Sequence, residues 1–171
     1  MSLDPLPTDG PSTPALVGQL ADVLLEKRWL LASAESCTGG LISAACTELA
    51  GSSAWFERGF VTYSNEAKNE LLGVDAALIA RHGAVSEEVV RAMAQGAITH
   101  SRAQVAVAVT GVAGPRGGSR AKPVGTVWFG FMAAGRVSSE MLRFGGDRAA
   151  VRAATVRHAL QRVLQLVQTP G

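Results

Sequence analysis

The chain alternates between short runs of small or branched apolar residues and longer stretches whose apolar positions recur every three or four residues. Over 15–28, Leu16, Leu20, Val23 and Leu24 fall at helical spacing. Residues 29–34 form a short apolar run of strand length, and 56–63 form a second. Between them the small residues of 41–49 predict a helix that Gly51-Ser52-Ser53 stops. Ser64 stands where an N-cap would for a helix carrying Asn65, Lys68, Leu71 and Leu72, closed by Gly73. A short helix near 75–81 and a longer one over 86–102 follow. The Val/Ala run of 104–110 suits a strand covered on both faces. Segments 126–133 and 137–144 flank Ala134-Gly135 as a hairpin, and a last helix carries the stripe Val156, Leu160, Val163, Leu164, Val167.

Strands interleaved with helices predict an α/β fold, a three-layer α/β/α sandwich. The late hairpin reverses at least one strand, so the sheet should be mixed, mostly parallel, with five or six strands. At 171 residues, 47% hydrophobic and 18% charged, the chain has the size and apolar content of one domain rather than a disordered polymer. No apolar run reaches the ~18 residues of a membrane span, and the start lacks the pattern of a secretory signal. A soluble, cytoplasmic protein is expected. Four prolines among residues 1–14 predict a disordered lead-in, with the domain over 15–171.

The formal charge of +2 hides an asymmetry. Residues 1–88 hold 12 acids and 5 bases, whereas 89–171 hold 2 acids, Glu140 and Asp147, and 11 bases. Thirteen of the 16 basic residues are arginine, the side chain whose planar fork matches phosphate and carboxylate. Such a half can bind a phosphorylated small molecule or nucleic acid, or simply neutralise the acidic half. Cys37 and Cys46, on a helix, would stand ~13 Å apart, beyond the ~7 Å limit for a disulfide. His82, His100 and His158 match no metal-ligand spacing.

Three segments could carry chemistry. In Glu35-Ser36-Cys37-Thr38-Gly39-Gly40, a strand-to-helix turn, Ser36 could be a nucleophile beside backbone oxyanion donors, or Ser36 or Thr38 could merely cap the helix. Cys37 is the rival nucleophile if a helix N-terminus lowers its pKa, and otherwise a small buried hydrophobe. In Tyr63-Ser64-Asn65-Glu66-Ala67-Lys68 the single tyrosine and one of three lysines could converge, with Lys68 a base if burial depresses its pKa, or an exposed helix residue if not. The glycine-rich stretch from Thr110 and Gly111 to Ser119 follows a buried strand, where ligands gather in α/β sheets. It lacks Walker A and GxGxxG spacing, so it is a phosphate cradle of another kind or a mobile turn. Arg148, after Gly146-Asp147, belongs to the same end of the domain or to the surface.

Five ordered segments together carry more than any one. They are Ala34-Glu35-Ser36-Cys37-Thr38-Gly39-Gly40-Leu41-Ile42; Tyr63-Ser64-Asn65 with Lys68 and Leu71-Leu72-Gly73-Val74; Gly83-Ala84-Val85-Ser86; Thr110-Gly111-Val112-Ala113-Gly114-Pro115; and Lys122-Pro123-Val124-Gly125-Thr126-Val127. Over roughly 15–167 the chain resembles the C-terminal domain of the competence/damage-inducible protein CinA, also found alone as nicotinamide-nucleotide amidohydrolase. The resemblance implies deamidation of nicotinamide mononucleotide to nicotinate mononucleotide and ammonia, in pyridine-nucleotide salvage, with no metal or cofactor. It also implies a catalytic set that lands on Ser36, Tyr63 and Lys68. Oxyanion and substrate contacts would come from Cys37, Thr38, Gly39, Gly40, Thr110, Gly111 and Arg148, with Arg148 on the phosphate.

Arg116 departs from the family loop, which is often all glycine there. The nucleotide-processing domain of longer family members has no counterpart, so its activity is expected to be absent. A small-molecule nucleotide is the expected partner and a homo-oligomer the expected assembly, with no membrane. A non-catalytic pyridine-nucleotide-binding or competence-linked interaction module is the alternative. Direct nucleic-acid binding rests on the arginine-rich half alone and lacks aromatic interleaving.

Overall fold

The computed structural model describes residues 2–4 and 10–170. In chain order the elements are α1 (Thr13–Lys27), β1 (Leu31–Glu35), α2 (Leu41–Thr47), β2 (Phe56–Val61), α3 (Asn65–Leu72), α4 (Ala76–His82), α5 (Glu87–Thr99), β3 (Val105–Gly111), β4 (Thr126–Ala133), β5 (Arg136–Arg143) and α6 (Arg148–Gln168). A single 3-10 turn, Ser52–Ala54, precedes β2. Of the lead-in expected over 1–14, residues 1 and 5–9 lie outside the described residues. Asp4 exchanges hydrogen bonds with Arg143 at the end of β5, and Pro14 lies in the first turn of α1.

The sheet has five strands in the order β2-β1-β3-β4-β5. β1 pairs in parallel with both β2 and β3. β4 is antiparallel to β3 and to β5, so β4 alone runs against the other four. The β4–β5 hairpin turns at Ala134 and Gly135 with φ of 50° and 73°, the left-handed pair whose twist matches the flanking strands.

Strand alternation explains the layers. On one face, Leu31, Val105, Val107, Val109, Phe129 and Phe131 pack against α1, α2 and α6. On the other, Ala32, Ala34, Ala106 and Ala108 face α3, α4 and α5. Small side chains on the second face let α5 approach closely: a Cβ on Gly130 of β4 would lie 2.5 Å from the Val90 carbonyl of α5. The expected stripe of α6 is buried throughout.

The boundaries moved where backbone partners were decided at long range. β1 starts at Leu31 rather than 29, because Leu30 gives its N–H to the Gln104 side chain instead of a ladder. It extends to Glu35, a charge that the apolar run did not include. With β1, β2 and β3 parallel and β4 returning, the segment 112–125 stays at the C-terminal end of β1 and β3. There the turn after Glu35 also lies.

Candidate active site

Glu35 organises the turn that presents Ser36. Its carboxylate is fully buried. Oε1 accepts from the Thr38 hydroxyl at 2.6 Å and the Ile42 N–H at 2.8 Å. Oε2 accepts from the Ser43 N–H at 2.9 Å and hydroxyl at 2.8 Å, and from the Ser33 hydroxyl at 3.3 Å. A buried carboxylate is tolerated only when so satisfied, and here it welds the end of β1 to the start of α2. Gly59 of β2 makes room for this cluster, since a Cβ there would lie 2.1 Å from the Ser43 hydroxyl.

From the outside, Arg152 of α6 clasps the same turn, its Nε donating to the Cys37 carbonyl at 3.1 Å and Nη2 to the Thr38 carbonyl at 3.2 Å. The Ser36 N–H is tied to the Val109 carbonyl, and the Gly39 N–H to the Ser36 carbonyl. Ser36 is thereby fixed at the mouth between β1 and β3.

Lys68 meets it from α3. The Ser64 hydroxyl caps that helix by accepting from the Ala67 N–H, and Lys68 follows one turn on. Only 2% exposed, its Nζ donates to the Thr62 carbonyl at 2.8 Å and lies 3.1 Å from the Ser36 hydroxyl. Burial pushes the ammonium below its ordinary pKa, with Cys37 acting weakly the other way. The reading of Lys68 as an exposed helix residue is therefore set aside.

These groups line a cavity of about 310 Å³, near the small end of ligand sites. Of the expected site residues, Ser36, Cys37, Tyr63, Lys68, Thr110, Gly111 and Arg148 border it, and Thr38, Gly39 and Gly40 do not. Thr38 is buried beneath the turn on Glu35. Thr110 donates its hydroxyl proton to the Ala84 carbonyl at 2.9 Å, holding β3 to the segment before α5. Tyr63 is 63% exposed, and its hydroxyl accepts from Arg148 Nη2 at 2.9 Å. Arg148 Nη1 donates to the Gly114 carbonyl at 2.9 Å, so one guanidinium bridges the tyrosine and the glycine-rich loop.

Cys37 is not an activated thiol. Burial, reinforced by the Glu35 carboxylate, pushes it up to about 12. The N-terminal N–H groups of α2 that were expected to lower it turn instead to Glu35. Cys46 is likewise raised to about 12 by burial, and both cysteines are free.

Sequence reasoning gave no role to Arg152, Lys122 or Asn65. Arg152 stands four residues after Arg148 on the same helix face, a signal that was present. Lys122 donates to the His82 carbonyl at 2.8 Å and anchors the far side of the loop. Asn65 lines the cavity beside Tyr63.

A family model described as "CinA C-terminal domain" matches residues 14–167. The chain belongs to this family. CinA-family relatives include proteins named nicotinamide-nucleotide amidohydrolase PncC. That of Enterobacter agglomerans is 55% identical over 148 residues, covering 86% of this chain and 90% of the relative. That of Pseudomonas putida is 52% identical over 164 residues, covering 96% and 98%. Among solved structures, the competence/damage-inducible protein CihA from Agrobacterium tumefaciens superposes with a TM-score of 0.89 at 45% identity, covering 97% of this chain and 99% of that one. The competence damage-inducible protein A from Klebsiella pneumoniae gives 0.90 at 38% identity, covering 94% and 100%. The CinA-family fold is thus the mixed α/β sandwich described above. Among the described residues no helix is long and apolar enough to cross a membrane.

Proposed function

We propose that this chain hydrolyses the carboxamide of nicotinamide mononucleotide to the carboxylate and ammonia, using Ser36 as nucleophile. One observation carries this reading: a buried lysine with a depressed pKa lies 3.1 Å from a serine hydroxyl that borders an open cavity. An ordinary serine hydroxyl is a poor nucleophile and needs an adjacent base. Lys68, whose pKa burial lowers, takes the hydroxyl proton in its neutral form as Ser36 Oγ bonds to the amide carbon. The proton then passes to the amide nitrogen, the C–N bond breaks, and ammonia leaves. Water, deprotonated by the same amine, hydrolyses the acyl-enzyme and restores Ser36.

Tyr63 assists at the mouth, its hydroxyl oriented by Arg148. The developing oxyanion is received by the backbone of the Ser36 turn; the Ser36 and Gly39 N–H groups already donate within the protein, and of the rest of the turn only Cys37 borders the cavity, so its N–H is the donor. One such donor is typically worth about 2.7–4 kcal/mol in the transition state. The names of the relatives support nicotinamide mononucleotide as substrate, and the cationic lining of the cavity suits its phosphate.

Ammonia release from nicotinamide mononucleotide by the native chain and by Ser36→Ala tests this reading. Release by the native chain, lost in the variant while nucleotide binding persists, is the expected result. Full activity in Ser36→Ala removes Ser36 from the mechanism, and binding without turnover by the native chain favours a non-catalytic nucleotide-binding module.

A further inference from the structure

The cavity is bordered by three basic side chains, Lys68, Arg116 and Arg148, and, among the described residues, by no carboxylate. Two of the three are already occupied. Lys68 is held by Ser36 and the Thr62 carbonyl, and both terminal nitrogens of Arg148 donate to the protein itself. Arg116 is different: it is exposed, it lines the cavity, and it makes no hydrogen bond or ion pair with any described residue.

Its backbone, by contrast, is tied down on both sides. Arg148 holds Gly114 two residues before it. Beyond it, the Ser119 N–H donates to the Lys122 carbonyl, and the Lys122 side chain reaches the His82 carbonyl. The result is a free guanidinium on a stalk anchored on both sides, facing a cavity with two further basic side chains. A planar five-donor fork is the group best shaped to grip a phosphate in two-point fashion.

We infer that Arg116 is the specificity-determining residue that selects a phosphorylated nucleotide over the unphosphorylated nucleoside, an assignment that rests on the amidohydrolase reading above. Arg148 then acts mainly as a brace for Tyr63 and the loop, and Arg116 closes on the phosphate.

The test compares the native chain, Arg116→Ala and Arg116→Lys on nicotinamide mononucleotide and nicotinamide riboside. A charge-assisted contact of ordinary strength corresponds to roughly 10- to 100-fold in affinity. Arg116→Ala is expected to lower the ratio of kcat/KM for mononucleotide over riboside by about that factor, through KM, with Lys restoring part of it. Added KCl should weaken the native preference more than that of Arg116→Ala, because an exposed charge is screened. An unchanged ratio in Arg116→Ala overturns the assignment while leaving the amidohydrolase intact. If the native chain releases ammonia from neither compound, the amidohydrolase reading falls, and calorimetry reads the same ratio as affinities. Mononucleotide binding that Arg116→Ala weakens tenfold or more keeps the assignment; no binding by the native chain overturns both.

Discussion

The Lys68 amine lies 3.1 Å from the Ser36 hydroxyl and 2.8 Å from the Thr62 carbonyl, so one side chain joins the end of β2 to the turn after β1. The carbonyl fixes one direction of the nitrogen and leaves its other directions to the serine. Because the lysine is buried, the site favours the neutral amine needed to accept a proton. The carbonyl positions the nitrogen, and burial lowers its pKa.

The activity should rise with pH through an ionisation below the ordinary lysine range, since only the neutral amine can take the Ser36 proton. Lys68→Met should reduce kcat by about 10²–10⁴-fold, the usual share of a general base, and abolish that limb of the pH profile. Stability carries the matching sign. Below the folded pKa both states are protonated and the full cost of burying the ammonium is present. That cost is relieved as pH rises through the folded value towards about 10.4, the unfolded reference. Denaturant titrations over this range should show the native chain gaining stability relative to Lys68→Met. Parallel curves would mean that Lys68 is not depressed.

Gly59→Ala should act on the nucleophile turn without touching the cavity. The added methyl meets the Ser43 and Ser33 hydroxyls at 2.1 and 2.9 Å, the groups that hold Glu35. Overpacking of this kind costs about 1–3 kcal/mol, and kcat should fall with it. In a double-mutant cycle with Ser43→Ala the two costs should be less than additive, because the variants disturb one cluster. Strict additivity in equilibrium unfolding would separate Gly59 from Glu35.

Thr62→Val should stabilise the chain. The Thr62 hydroxyl is buried with no hydrogen-bond partner among the described residues, whereas its carbonyl, which Lys68 uses, survives the change. Removing an unsatisfied buried hydroxyl while keeping the shape is worth about 1 kcal/mol. For a chain of this size that is a rise of roughly 2–4 °C in Tm. A loss of stability on calorimetry would show that the hydroxyl is satisfied in solution.

Much of this was legible from local pattern. The Val/Ala alternation of β3, the apolar stripe of α6, the Ser64 cap and the Ala134-Gly135 turn each report a neighbour within a few residues, and each element formed where its period required. Ser36 and Lys68 could be nominated as neighbours because each sits just beyond the end of a strand or in the first turns of the next helix. What the linear pattern hid was the pairing of distant groups. A carboxylate at the end of a buried strand reads as a boundary, until the donors of Ser33, Thr38, Ile42 and Ser43 are seen to enclose Glu35. Cys37 lies beside this enclosure, and its own burial, with the Glu35 charge adding to it, raises the thiol's pKa where a helix start would lower it. Arg152, spaced like Arg148 along α6, was readable only once both arginines had targets 34 or more residues away.

The single reversed strand, β4, shapes how such a site can change. A parallel crossover after β3 would have carried the chain to the opposite end of the sheet and left little material over the cavity. The antiparallel return instead leaves residues 112–125 as a surface loop whose two roots are locked by β3–β4 pairing. Between the anchors at Gly114 and Lys122, the exposed residues 115–121 can be exchanged, gained or lost at small entropic cost and without shifting the register of any strand. The lining of the cavity is therefore separable from folding in this architecture, and the side chains that the loop presents can change while Ser36 and Lys68 stay in place.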